Sequence, residues 1–104
     1  MSNDSFFNGD SVEILLSREQ AAEILNISRQ QLYHYIKAGS LFLDTLKRFR
    51  TDDGGISKVE KITNFDIPIL RRIQYYFRKH GERKARVLMS QKPEDFYKGE
   101  NNDY

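Results

Sequence analysis

The chain has 104 residues, which suffices for one domain with a small core but not for two. It contains no cysteine, and this excludes a disulfide framework, thiolate chemistry and a cysteine-based metal site. The net charge of +2 is unevenly distributed, since residues 17–92 carry 16 basic and 8 acidic side chains while both ends are acidic. A basic body between acidic ends suits a polyanion-binding domain, although charged runs also occur as plain solvated faces.

Several function classes find no support in the sequence. No apolar run reaches membrane-spanning length and no signal peptide is visible, so we expect a soluble, cytoplasmic protein without membrane contact. His34 and His80 lie in different segments, and neither a metal-ligand spacing nor a glycine-rich phosphate loop occurs. We therefore expect no cofactor, no metal site and no enzyme activity.

Residues 1–16 read as a flexible N-terminal arm. The segment is polar up to Asp10, apart from Phe6 and Phe7, which are expected to dock on the domain or on a partner. An apolar run follows at residues 12–16. It predicts either a brief strand that pairs with the wing described below or a lead-in that packs on the first helix.

Residues 17–41 predict two short helices joined by a tight turn. Ser17 precedes Gln20 by three residues, and Ser28 precedes Gln31 by the same spacing, so each pair can form a capping box. Two capping boxes indicate two consecutive helices with a turn at residues 26–28. We predict that the second helix covers residues 29–38 and ends at Gly39, where a left-handed backbone is least costly.

The second helix has an apolar side and a polar outer side. Leu32 and Ile36 are four residues apart and are expected to point inward. A helical hairpin that only packs would fit this pattern, but the outer residues favour DNA, because Arg and Gln can pair with guanine and adenine edges. The predicted base contacts are Arg29, Gln30, Tyr33 and His34.

The run S-R-E-Q-A-A-E-I-L-N-I-S-R-Q-Q-L-Y-H-Y-I-K-A-G-S-L resembles the start of excisionase-type and MerR-type winged helix-turn-helix domains. Tyr33 and the ending at residues 36–41 are closer to the excisionase type. MerR proteins usually carry Arg where this chain has Tyr33, and two aromatic residues follow it. Of these two aromatic residues, this chain has only the second, Tyr35. The resemblance implies an α+β, mainly α fold: a winged helix-turn-helix with a two-stranded β-hairpin wing and one or two C-terminal helices.

Residues 41–62 are predicted to form the wing. Strands at residues 41–50 and 56–62 would flank the glycine-containing turn at residues 51–55. The hairpin is basic near its tip, which suits contact with phosphates, although Lys and Arg also protect the edges of a solvated hairpin. The predicted phosphate contacts are Arg18, Lys37, Lys47, Arg48, Arg50 and Lys58.

Residues 64–92 predict two more helices. Asn64 or Asp66 would cap the first, with Pro68 in its first turn and Gly81 at its end. A second helix over about 82–91 would point Ala85, Val87, Leu88 and Met89 inward. We predict a domain at residues 17–92 and an acidic, disordered or partner-binding tail at residues 93–104. MerR proteins continue here into a dimerising coiled coil, but this chain has no sustained heptads, so neither that dimer nor MerR-type ligand sensing is implied.

The expected partner is double-stranded DNA, bound sequence-specifically by a small MerR-like transcriptional regulator. An excisionase-like factor that bends DNA beside a recombinase is the alternative within DNA binding. A second copy of the chain, a recombinase or a polymerase are further candidate partners. The other class is a protein-interaction module that presents aromatic residues to a partner, with Phe6, Phe7, Phe96 and Tyr97 as candidates.

Overall fold

The computed structural model describes residues 12–97, which form a mainly helical domain with one small antiparallel sheet. The coarse fold class predicted from the sequence is therefore confirmed. The sheet pairs β1 (Leu15–Leu16) with β2 (Ile62–Thr63). The α-helices are α1 (Arg18–Leu25), α2 (Arg29–Phe42), α3 (Asp66–His80) and α4 (Glu82–Gln91), and two 3₁₀ helices span Asp44–Phe49 and Pro93–Phe96.

Both predicted capping boxes are present. The Ser17 hydroxyl accepts from the Gln20 N–H at 3.0 Å, and the Gln20 amide oxygen accepts from the Ser17 N–H at 2.8 Å. Ser28 and Gln31 repeat this arrangement at the start of α2. Asn26 ends α1 in the left-handed conformation, at φ 59°, and its N–H reaches back to carbonyl groups of α1. This residue turns the chain into α2, as a short turn between two helices requires.

The predicted end of α2 at Gly39 is wrong, since the helix continues to Phe42. Gly39 lies inside the helix, where α2 approaches its neighbours closely. A Cβ atom at this position would lie 2.4 Å from Leu46 Cδ1 and 3.0 Å from Ile73 Cδ1. The glycine therefore serves close packing rather than helix termination.

The predicted hairpin of two long strands is also wrong. Residues 41–42 belong to α2, and Asp44–Phe49 forms a 3₁₀ helix. The reason is the spacing of Leu43, Leu46 and Phe49, which recur every three residues and are all fully buried. A helix with three residues per turn places all of them on one side, towards the core.

What remains of the predicted wing is a loop over residues 50–61, here called the 50–61 loop. Arg50 and Ile56 form a single antiparallel bridge across it. The following residues pair with the N-terminal apolar run instead: Leu15 lies opposite Thr63 and Leu16 opposite Ile62. Of the two alternatives for the N-terminal run, the structure shows the brief strand, with β2 as its partner.

The start of α3 departs from the expected cap. Phe65 holds the N-cap position and no side chain caps the helix, while Pro68 lies in the first turn as predicted. Asn64 instead fastens β1: its Oδ1 accepts from the Ile14 N–H at 2.7 Å, and its Nδ2 donates to the Val12 carbonyl at 3.0 Å. Asp66 is buried and takes part in an ion pair described below.

The C-terminal half mostly matches the predicted pattern. Gly81 ends α3 at φ 87°, and α4 spans the predicted residues. Ala85 and Met89 are buried in the core and Leu88 packs against it. Val87 was predicted to point inward, but it is 45 % exposed, because it lies on the side of α4 opposite the core.

The packed region extends beyond the predicted domain boundary at residue 92. Phe96 is fully buried, with its ring 4.6 Å from that of Tyr76, so it is not presented to a partner. The Arg72 Nε donates to the Asp95 carbonyl, and the Thr45 N–H donates to the Tyr97 hydroxyl. Packing contacts thus involve residues up to Tyr97, whereas the predictions for Phe6, Phe7 and residues 98–104 concern positions outside the described residues.

None of the helices between residues 12 and 97 combines the length and apolar character that crossing a membrane requires.

Candidate nucleic-acid interface

The polar residues of α2 lie on one exposed strip of the helix. Leu32 and Ile36 are buried beneath it, which fixes the orientation of the helix on the core. Tyr33 is 43 % exposed; its ring lies edge-on to that of His34 at 5.6 Å between centroids, and Lys37 Nζ lies 6.0 Å from its centre. The structure thus brings together the residues that we call the α2 row: Arg29, Gln30, Tyr33, His34 and Lys37.

An open groove of about 870 Å³ separates α2 from the 50–61 loop. Leu32, Ile36 and Ile56 form its apolar floor. Polar residues from both sides line its walls: Arg18, Arg29, Gln30, Tyr33, Ser57 and Lys58. Three of the four predicted base contacts and two of the predicted phosphate contacts therefore share one groove.

Positive charge accumulates at one end of this groove. A neighbouring depression is lined by Arg18, Arg29, Lys58 and Lys61, with Glu19 as its acidic member. Burial lowers the pKa of the Arg18 guanidinium, and the positive charge of Arg29 lowers it further, while Glu60 acts in the opposite direction. Arg18 and Arg29 both line this depression, and their like charges act on each other there.

Arg18 holds the 50–61 loop beside α2. Its Nη1 donates to the Glu60 carbonyl at 2.9 Å and its Nη2 to the Ser57 carbonyl at 2.8 Å. Both bonds go to backbone atoms of the loop, and the Ser57 hydroxyl and the Glu60 carboxylate add further bonds that hold it. Lys58 lies directly after one of the two anchored residues, and this explains why it faces the groove.

Arg48 was predicted to contact phosphate, but the structure places it in an internal ion-pair network. Its Nη2 lies 2.5 Å from Asp66 Oδ2 and its Nε lies 3.0 Å from Glu60 Oε2. Burial alone would lower the pKa of the Arg48 guanidinium, but the hydrogen bonds and charges of Asp66 and Glu60 outweigh it and raise that pKa. Its donors are thus already directed at carboxylates.

The other predicted phosphate contacts differ in their surroundings. Lys47 is exposed and forms an ion pair with Asp44 at 3.0 Å. Arg50 is exposed at the bridge to Ile56, on the 50–61 loop. Lys37 belongs to the α2 row, so only Lys37, Lys58 and Arg18 lie directly at the row or its groove.

The tip of the 50–61 loop is acidic. Asp53 Oδ1 accepts from the Thr51 hydroxyl and from the Gly55 N–H, and these two bonds lower the pKa of the Asp53 carboxyl. Asp52 is exposed beside it. A tip with two carboxylates repels phosphate, so the basic part of the loop is its base, at Lys58 and Lys61.

Sequence reasoning did not find two features of this site. Lys61 was not among the predicted phosphate contacts, and Ile56 and Ser57 were not expected to line a groove with α2. The signal for Lys61 is its place three residues after Lys58, but its proximity to Arg18 and Arg29 depends on the tertiary fold.

Comparison with protein-family models, curated proteins and solved structures found no match to this chain. Within residues 12–97, no group of three or more His, Asp or Glu side chains is arranged so that it could hold a metal ion.

Proposed function

We propose that the chain binds double-stranded DNA sequence-specifically, as a small MerR-like transcriptional regulator, with α2 in the major groove. The observation that carries the proposal is the coincidence of two features on one face. The α2 row presents side chains that can read base edges, and a cluster of cations that can bind phosphates borders the same groove.

The residues divide into two roles. Arg29 and Gln30 lie in the first turn of α2, where a helix entering the major groove reaches base edges, and Tyr33 and His34 follow one turn later. Lys37, Lys58 and Lys61 supply charge for the phosphate backbone. Arg18 contributes charge while it anchors the loop. Arg48 is not assigned to phosphate contact, because Asp66 and Glu60 already bind its guanidinium.

We infer that the 50–61 loop takes the place of a hairpin wing. Its base carries Lys58 and Lys61 and is fastened beside α2 by Arg18. The carboxylates at its tip favour an orientation in which the tip points away from the DNA backbone. The contacts beside the major groove would therefore come from the base of the loop, unlike those of a long hairpin that inserts its tip.

An excisionase-like role would use the same interface but add DNA bending. A circular-permutation assay on a bound site separates the two roles, since mobility that varies with the position of the site indicates bending. A pure sequence reader would leave the mobility nearly constant.

Arg29→Ala tests the assignment of α2. We expect the free energy of specific binding to weaken by about 1–3 kcal/mol, because a paired contact to a base edge is lost. The measurement is a titration of a selected duplex by fluorescence anisotropy. Arg83→Ala on α4, which is exposed but lies outside the groove, is the matched control. Equal affinities for the wild type and Arg29→Ala would contradict the assignment of α2 as the recognition helix.

A further inference from the structure

A second groove lies between β1, α1 and the start of α3. It has a volume of about 540 Å³, and none of its lining residues belongs to the α2 row. Six apolar side chains line it, from Ile14, Leu16, Ile24, Phe65, Ile67 and Pro68. Ile24 and Phe65 are 43 % and 49 % exposed, which is unusual for large apolar side chains grouped around one depression. Grouped, partly exposed apolar side chains of this kind are a feature of protein interaction sites.

The groove is fixed by the fold. Asn64, another of its lining residues, forms hydrogen bonds with backbone atoms of Val12 and Ile14. It thereby holds β1 beside the start of α3. On the opposite side, the buried Gln74 donates from Nε2 to the Leu25 carbonyl and joins α3 to the end of α1. The walls thus come from elements that are linked to one another independently of any ligand.

One edge of the groove is positively charged. Arg71 lines the groove and also a shallow depression that continues along α3, where Arg78 and Lys79 lie. Arg71 and Arg78 are exposed, and within residues 12–97 neither forms an ion pair. No acidic side chain of the described part of the chain lines either depression.

The positive charge at the edge of the groove indicates which kind of molecule could bind there. A second copy that docked the same face against itself would bring the two Arg71 side chains and their basic neighbours together without a carboxylate to compensate them, so like charges oppose that symmetric pairing. A peptide with large apolar side chains and adjacent carboxylates matches both parts of the surface. The apolar side chains would fill the groove, and the carboxylates could form paired hydrogen bonds with Arg71.

We propose that this groove is a docking site for an acidic, apolar segment of a partner protein. The site is separate from the α2 row, so one copy of the chain can hold the partner segment and DNA at the same time. The proposal does not depend on DNA binding, because none of the residues that carry it is assigned to the DNA interface.

The test uses the full chain and a defined probe. The probe is a fluorescein-labelled peptide with Leu and Phe at helical i, i+3, i+4 and i+7 spacing and with Asp or Glu between them. Its twin carries Asn and Gln in place of the acids. We expect fluorescence anisotropy to show at least about tenfold tighter binding of the acidic peptide than of its neutral twin. Equal binding of both peptides, or no binding of either, would overturn the proposal.

Two substitutions with matched controls locate the site. We expect Ile24→Asp and Arg71→Glu each to weaken binding of the acidic peptide by about tenfold or more. Val87→Asp and Arg83→Glu, at exposed positions of α4, should leave it unchanged. Thermal unfolding of each variant checks that the fold is retained, and Arg71→Glu provides the test if Ile24→Asp fails to fold. Unchanged peptide binding in a folded Arg71→Glu variant contradicts the site.

Two further results would show that something other than a partner protein occupies the groove. If Arg71→Glu weakens duplex DNA binding and leaves peptide binding intact, the surface belongs to nucleic-acid recognition. If replacing both Phe6 and Phe7 by Ser strengthens peptide binding, the chain's own N-terminal residues compete for the groove and a partner protein is not its occupant. Loss of DNA binding in Arg29→Ala with intact peptide binding leaves this proposal standing and bears only on the role of α2.

Discussion

Asp66 is a carboxylate with almost no solvent contact, at 1 % exposure, and hydrogen bonds from Arg48 and Thr63 hold it in place. Arg48 donates two hydrogen bonds to it, and the Thr63 N–H donates a third at 2.9 Å. Through Arg48 the network also reaches Glu60 and the carbonyl groups of Thr45 and Lys61. A single charged pair thus joins the start of α3, the first 3₁₀ helix and the end of the 50–61 loop.

Asp66→Asn is expected to lower the free energy of unfolding by about 2–3 kcal/mol. The substitution leaves the Arg48 charge without its buried partner, and the effect stays below the largest known for such pairs because Arg48 is one-third exposed. Chemical denaturation measures it. The control is Asp44→Asn, which removes the exposed pair with Lys47 and should change stability by about 0.5 kcal/mol or less. Similar losses of stability in both variants would show that the buried network contributes no more to the free energy of unfolding than the exposed pair does.

Gly39→Ala is expected to destabilise the protein by about 1–3 kcal/mol, although alanine is the better helix former. The added methyl group meets the side chains of Leu46 and Ile73, both fully buried, and these cannot withdraw without disturbing the core. Thermal unfolding would show the sign directly. A variant more stable than the wild type would mean that α2 is less tightly packed at this point than the structure indicates.

Sequence reasoning succeeded where the signal is local and failed where it depends on contacts distant in the chain. Ser17, Ser28 and Gly81 were assigned correctly, because a cap or a helix end is decided by residues within one turn. Gly39 was assigned to a helix end because the same residue type also serves close packing, and only Leu46 and Ile73 distinguish the two. Arg48 was predicted to contact phosphate because it is a basic residue of the predicted wing. The sequence did not reveal its buried partner, Asp66, which lies 18 residues away.

At the scale of elements, the 50–61 loop shows the same limit. Its glycine-containing turn at residues 51–55 predicted a hairpin, but Leu43, Leu46 and Phe49 place the preceding segment in the core as a 3₁₀ helix. The N-terminal run then pairs with β2, which follows the loop. The α2 row, in contrast, could be predicted, since the helical spacing of Leu32 and Ile36 already determines which side faces outward.

Lys58→Gln tests the role of the loop. We expect weaker binding to all duplexes alike and a salt dependence whose slope is lower by about one unit, because one phosphate contact is removed. Titrations at several salt concentrations measure the slope. Lys84→Gln on α4, exposed but outside the groove, should leave the slope unchanged. If both variants keep the wild-type slope, the loop does not contact the DNA backbone.

At the scale of the whole molecule, the domain measures 41 × 33 × 23 Å, and its last packed segment is the 3₁₀ helix Pro93–Phe96. Phe96 packs against Tyr76 on α3, and Pro93–Phe96 also packs against α4. If α2 reads DNA as proposed, one copy presents a single recognition helix and reads only a short site. Useful specificity therefore calls for paired or tandem sites, or for a partner protein held at the second groove.

Phe96→Ala tests whether the 3₁₀ helix Pro93–Phe96 belongs to the part of the domain that unfolds cooperatively. We expect a loss of about 3–5 kcal/mol in the free energy of unfolding, the usual range for removing a buried phenyl ring. Denaturant titration measures it. Tyr97→Ala, next in sequence and 42 % exposed, should cost much less. A negligible effect of Phe96→Ala would place the end of the cooperative unit before residue 93.

The most direct test of sequence-specific DNA binding is selection of bound fragments from random duplex DNA, at near-physiological salt with competitor, followed by sequencing. The proposed function predicts an enriched motif with wild-type protein, together with loss or relaxation of that motif with Arg29→Ala. The spacing of direct or inverted copies would show how many molecules bind. No enriched motif, with binding that disappears as salt rises, would contradict it and leave only a basic surface.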